Sequence, residues 1–144
     1  MAARILPEID GDNRPFWASC RRHAIELQRC TTCGRWRYPP SRICPACSSF
    51  AARWQPLSGT GTLFTCSILS RSASPAYRDE VPYAYAIIEL DEGPMMPTNL
   101  VDVDLHVALT DPGALIGMRV SVRYRDLTEE VTLPVFGPTA ELRR

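Results

Sequence analysis

The sequence contains no lysine; all sixteen basic residues are arginine. Schiff-base chemistry and a lysine general base are therefore excluded. Histidine is scarce, with only His23 and His106, and no nucleophile motif such as Gly-x-Ser-x-Gly accompanies either. No Gly-rich phosphate loop occurs, and Asp91-Glu92-Gly93-Pro94 reads as a turn whose acids would repel phosphate. No apolar run approaches the ~20 residues of a membrane span. The opening MAARILPEIDGDNRP lacks a signal peptide's apolar stretch, so the expected compartment is the reducing cytoplasm, where disulfides are rare. Net charge is zero, which argues against nucleic acid or a membrane as partner. Its distribution is uneven: residues 1–54 carry nine arginines against four acids, and residues 55–144 seven against twelve.

What is present is an ordinary globular composition, 45% hydrophobic and 22% charged over 144 residues. That length suits one domain, or two small modules, with a core that needs no disulfides. Six cysteines occur, and four form two knuckles, Cys30-Thr31-Thr32-Cys33-Gly34 and Cys44-Pro45-Ala46-Cys47, with ten residues between them. Zinc takes four thiolates in a tetrahedron, and two facing turns supply that geometry. Gly34 lets the backbone turn so that amides point at the sulfurs, with Ser48 in the matching place. A redox pair would come singly within a βαβ pattern. Four thiolates leave no open coordination position, so one structural zinc per chain is expected and hydrolytic zinc is not. Cys20 and Cys66 read as small buried hydrophobes.

Along the chain, Asp12 or Asn13 caps an expected helix with Pro15 in its first turn, and Phe16, Cys20, Ala24 and Leu27 recur at helical spacing. Residues 1–28 form this tail and helix, 29–55 a rubredoxin-like zinc ribbon, and 56–144 a barrel. Five strands are expected there, at residues 59–69, 83–90, 95–105, 118–124 and 131–136, with one helical turn within 110–117. That layout matches a five-stranded OB-fold, the alternative being another small β-barrel or sandwich. His106, in Asp102-Val103-Asp104-Leu105-His106, is placed on a solvated strand edge. Around the ribbon, Arg29, Arg35, Arg37 and Arg42 interleave with Trp36 and Tyr38. Such a set could grip the phosphates of an adenine nucleotide, bind single-stranded nucleic acid, or form a solubilising rim.

The order of motifs is recognisable: a Phe16-Trp17 helix, Arg29-Cys30-Thr31-Thr32-Cys33-Gly34, Tyr38-Pro39-Pro40, Cys44-Pro45-Ala46-Cys47, Ser58-Gly59-Thr60-Gly61-Thr62, Val81-Pro82-Tyr83, Glu89-Leu90-Asp91-Glu92-Gly93-Pro94, Ile116-Gly117-Met118-Arg119-Val120 and Leu133-Pro134-Val135-Phe136. Together, over residues 14–138, these resemble the DUF35 family of zinc-ribbon plus OB-fold proteins of acyl-CoA metabolism. The resemblance implies a mainly β fold and a non-catalytic acyl-CoA-binding and assembly subunit beside a thiolase-like enzyme, thiolase or retro-aldolase, in a two-plus-two hetero-oligomer. Zinc falls on Cys30, Cys33, Cys44 and Cys47. A coenzyme A thioester is the expected ligand, with Arg35, Arg37 and Arg42 as candidate phosphate contacts. Phe16, Trp17, Trp36 and Tyr38 are candidate docking residues, because helix and ribbon are each too small to cover the other. The competing reading is a single-stranded nucleic-acid binder, against which stands the acidic barrel half.

Overall fold

The computed structural model describes residues 4–139. Helix α1 (Arg14–Arg21) leads into β1 (Glu26–Cys30), β2 (Trp36–Arg37) and β3 (Ala52–Pro56), a three-stranded sheet in the order β2-β1-β3. Then follow β4 (Thr60–Leu69), β5 (Tyr83–Leu90), β6 (Met95–Leu100), the short helix α2 (Leu105–Thr110), a 3-10 turn at Pro112–Leu115, β7 (Arg119–Asp126) and β8 (Thr132–Pro138). Strands β4-β5-β6-β8-β7 close into a mixed five-stranded barrel, as the strand count in the sequence implies. Its closure is economical: the parallel β6–β8 contact pairs only Leu100 with Phe136.

The barrel strands follow the sequence reading closely except at the end of the third, and one helical reading and one strand reading do not survive. The N-terminal helix stops at Arg21 and does not reach Leu27. His23, at φ 57°, takes the left-handed position that ends a helix, and its amide bonds back to the Cys20 carbonyl at 2.9 Å. Ile25 and Leu27 then alternate with exposed or polar neighbours at a strand's period of two, while Ala24 is exposed. The third barrel strand ends at Leu100, and His106 lies on α2, whose cap Asp104 accepts from the amides of His106 and Val107. That Asp-x-His run signals a helix start more than a strand.

Helix, ribbon and barrel share one core. Phe16, Cys20, Ile25 and Leu27 pack in the same buried cluster as Leu63, Ala86, Ile88, Met96, Val120 and Phe136. The barrel therefore supplies much of the cover that the helix needs. Burial pushes the Cys20 thiol up to about 12 and raises Cys66 as well, in keeping with their role as small hydrophobes. At the start of β4, Gly61 sits where the barrel backbone crowds. A Cβ there would lie 2.5 Å from the Glu89 carbonyl oxygen. Gly61→Ala is accordingly expected to cost about 2 kcal/mol, read as a lower urea midpoint with an unchanged slope.

Candidate metal centre and its surroundings

Each knuckle is built the same way. In the first, the Cys30 amide bonds to the Arg35 carbonyl at 2.8 Å and the Gly34 amide returns to the Cys30 carbonyl at 2.9 Å. In the second, the Cys44 amide bonds to the Ser49 carbonyl at 2.9 Å and the Ser48 amide to the Cys44 carbonyl at 2.8 Å. Gly34 and Ser48 occupy equivalent left-handed turns, at φ 78° and 63°. The serine bears the strain that glycine avoids.

The four sulfurs converge. All four Sγ atoms lie within 4.8 Å of one another, with Cys30–Cys47 at 3.6 Å and Cys33–Cys44 at 3.7 Å. A tetrahedral zinc with Zn–S near ~2.3 Å needs sulfur–sulfur edges of about 3.8 Å. The thiols are also prepared for it unequally. The Cys33 amide, 3.5 Å from the Cys30 sulfur, leads the groups that lower that thiol to about 5, and the Cys47 and Ala46 amides lower Cys44. Cys47 is carried up to about 11, because burial and the three neighbouring thiols outweigh the pull of the Ser49 amide. Four thiolates this close cannot all ionise without a cation among them.

Arg37 supplies a second test of fit. It is only 1% exposed, and its guanidinium donates from Nη1 to the carbonyls of Ser41 and Arg42 and from Nη2 to those of Ser49 and Ala51, at 3.0–3.4 Å. Its Nε is buried without a hydrogen-bond partner, and the Arg37 side chain is among the groups that lower the Cys30 thiol. A buried cation with a spare N–H beside Cys30 is what a four-thiolate zinc of net charge −2 requires nearby. The cysteines present thus fit zinc.

The other expected site residues divide. Arg37, named above as a phosphate contact, spends its terminal nitrogens on the second knuckle's loop and faces no solvent. Arg35 is exposed, and Arg42 is exposed beside Asp12 at 3.4 Å. Phe16, named for docking, is 2% exposed beneath Trp17 and Tyr38, in edge-on contact at 5.0 and 5.8 Å. Trp17, Trp36 and Tyr38 keep part of their surface open. Trp17 and Tyr38 line a cavity of about 180 Å³ with Pro97, Asn99 and Pro134, at the sparsely bonded β6–β8 seam.

His23 ties the helix to the barrel. Its ring stacks on Tyr124 with centroids 4.8 Å apart and bonds to Asp126 at 3.0 Å, while Tyr124 accepts the Ile25 amide at 2.9 Å. Asp126 also accepts from Thr132. These contacts clamp the end of α1 to the barrel. Nothing adjacent in sequence announces them, since the partners lie about a hundred residues apart.

Two family models match in the order the structure shows. The ChsH2 rubredoxin-like zinc ribbon domain covers residues 17–51 and the ChsH2 C-terminal OB-fold domain residues 54–125. The chain belongs to the ChsH2-type DUF35 family. It is 32% identical to the DUF35 domain-containing scaffold protein of Methanocaldococcus jannaschii over 76% of this chain and 73% of that one. A probable enoyl-CoA hydratase alpha subunit of Thermomonospora curvata is 34% identical over 95% of this chain, but the chain spans only 40% of that relative's length. Among solved structures, one described as the Ltp2-ChsH2(DUF35) aldolase aligns with a TM-score of 0.76 and 33% identity, covering 92% of this chain and 98% of the other. A DUF35 structure of unknown function from Sulfolobus solfataricus, at TM-score 0.58 and 12% identity over 90% of this chain and 86% of that one, shares the fold. Like its relatives, this DUF35 chain joins ribbon to barrel. Among its described residues no helix is long and apolar enough to cross a membrane.

Proposed function

We propose that this chain is a non-catalytic assembly subunit, acting in the cytoplasm, for a thiolase-family enzyme that cleaves or forms carbon–carbon bonds in acyl-CoA thioesters. The observation that carries this reading is the alignment with the ChsH2 structure over nearly its whole length, a protein described together with Ltp2 as an aldolase. The chain's own residues agree. The His23–Asp126 pair is committed to a clamp, both free cysteines have raised pKa values, and no lysine exists. The hydratase name of the longer relative is not carried over, because the chain spans only 40% of it.

In this reading one zinc per chain fastens the two knuckles, and the ribbon with α1 presents Trp17, Trp36 and Tyr38 to the partner. Aromatic rings set beside arginine are the side chains that dominate interface energy. A complex of two of these chains with two enzyme subunits is the expected assembly. The test is co-expression with a thiolase-like protein from the same genome, followed by size-exclusion chromatography. Co-elution is expected, and Trp17→Ala with Trp36→Ala should weaken it more than tenfold while the barrel stays folded. Separate elution at micromolar concentration, or a double variant that assembles like the parent, contradicts the proposal.

A further inference from the structure

The ribbon sheet carries an arrangement that stability alone does not explain. On β1, Arg29 has Trp36 of β2 as its neighbour on one side and Arg53 of β3 on the other. Directly opposed residues share a face, so an indole and two guanidinia stand in a row across three strands, about 5 Å between successive Cβ atoms. Like charges directly opposite one another destabilise a sheet. Here no carboxylate relieves them. Residues 27–78 contain seven arginines and no aspartate or glutamate. Arg29 and Arg53 are both exposed and have no carboxylate partner among the described residues.

The local geometry leaves the cations available. Arg29 spends only its Nε, on the Gly34 carbonyl at 3.0 Å, and its guanidinium carbon lies 5.3 Å from the centre of the Trp36 ring. Both contacts fix the direction of the fork and leave its terminal nitrogens free. Arg29 and Arg53 line a concavity of about 360 Å³ with Cys30, Thr31 and Gln55, of which Thr31 and Gln55 are neutral groups that can donate hydrogen bonds. That volume lies in the range of small-ligand sites.

We propose that the Arg29–Arg53 row is an anion site for the phosphate groups of a nucleotide-type ligand. Two adjacent forks match phosphate oxygens bidentately, and a bound dianion removes the cross-strand repulsion that the free chain carries. The proposal rests on the acyl-CoA reading above, since coenzyme A carries a diphosphate and a ribose phosphate. It moves the phosphate contacts from Arg37, which is buried, to the opposite face of the ribbon sheet.

Calorimetric titration of the zinc-loaded chain with adenosine 3′,5′-bisphosphate, and with adenosine as the uncharged control, tests it. Saturable binding of the bisphosphate alone is expected, weakening as salt rises. Arg29→Gln and Arg53→Gln should each weaken it about tenfold, and Arg71→Gln, far along the chain in the β4–β5 connection, should leave it unchanged. Arg53→Gln should not lower the melting temperature, because it removes a repulsion, so lost binding is separable from lost fold. Absence of saturation at millimolar bisphosphate, or a folded Arg29→Gln/Arg53→Gln variant that binds like the parent, overturns the proposal. If that double variant keeps the nucleotide but loses the thiolase-like partner, the row meets an acidic protein surface and the proposal is equally overturned. Titration uses the chain alone, so a failure to assemble would count against the docking reading without touching this one.

Discussion

Replacing Cys30 and Cys44 with serine is expected to empty the metal centre and unfold the ribbon. Each knuckle contributes two sulfurs, so the double change removes one ligand from both turns, and the remaining pair cannot hold zinc tetrahedrally. In zinc modules metal affinity is folding free energy, with apparent values of about 10–16 kcal/mol in isolated fingers. That is comparable to the whole stability of a typical domain. The loss should spread beyond the ribbon, because Ile25 and Leu27, at the root of β1, sit in the barrel core. Metal analysis should fall from one equivalent to nearly none, with a broadened or lowered melting transition. A variant that keeps the parent's fold without metal would show that the centre is dispensable.

Arg37→Met should be nearly as damaging, although Arg37 is neither a ligand nor at the surface. The loop carrying the second knuckle has no strand of its own, and four of its carbonyls (Ser41, Arg42, Ser49 and Ala51) are bonded by this one guanidinium. Methionine fills some of the volume and supplies no donor. The Ser49 and Ala51 carbonyls keep the Cys44 and Thr31 amides, while those of Ser41 and Arg42 lose their donor at a cost of about 1–3 kcal/mol each, so a loss of at least about 2 kcal/mol is expected. Lysine should not rescue it, since an ammonium places its donors at one point and cannot span a fork. Chemical denaturation together with the rate of zinc transfer to a chelator checks this: both midpoint and retention time should drop for Met and for Lys alike. An Arg37→Lys chain within 1 kcal/mol of the parent would contradict the stitching role.

How much of this was legible in the sequence depended on whether the signal was local. The knuckles were, because their chemistry is written in spacing. So were the barrel strands: the alternation of Val120, Val122 and Tyr124 against Arg119 and Ser121 reports a half-buried ladder directly. Helix α1 was legible at its start, where Pro15 and Phe16 sit, and misread at its end. Leu27 fits a helical face and a strand equally well, and the residue that stops the helix, His23, is held by Tyr124 and Asp126 from the far end of the chain. Arg37 was illegible for a related reason. Between Trp36 and Tyr38 it looks like one more surface cation, and only the pairing of β2 with β1, which sets Gln28 opposite Arg37, turns it inward. β3 went unread as a strand, so the opposition of Arg29 and Arg53 could not be seen. Ala52-Arg53-Trp54-Gln55 does alternate, and that is the cue that would have revealed it.

The central claim is that the chain organises chemistry and performs none. The most direct measurement is acyl-CoA carbon–carbon bond cleavage by the zinc-loaded chain alone, by the thiolase-like protein alone, and by the two mixed, with coenzyme A thioester disappearance followed in all three. No turnover by the chain alone and full activity only in the mixture is the predicted result; turnover by the repurified chain alone would contradict it.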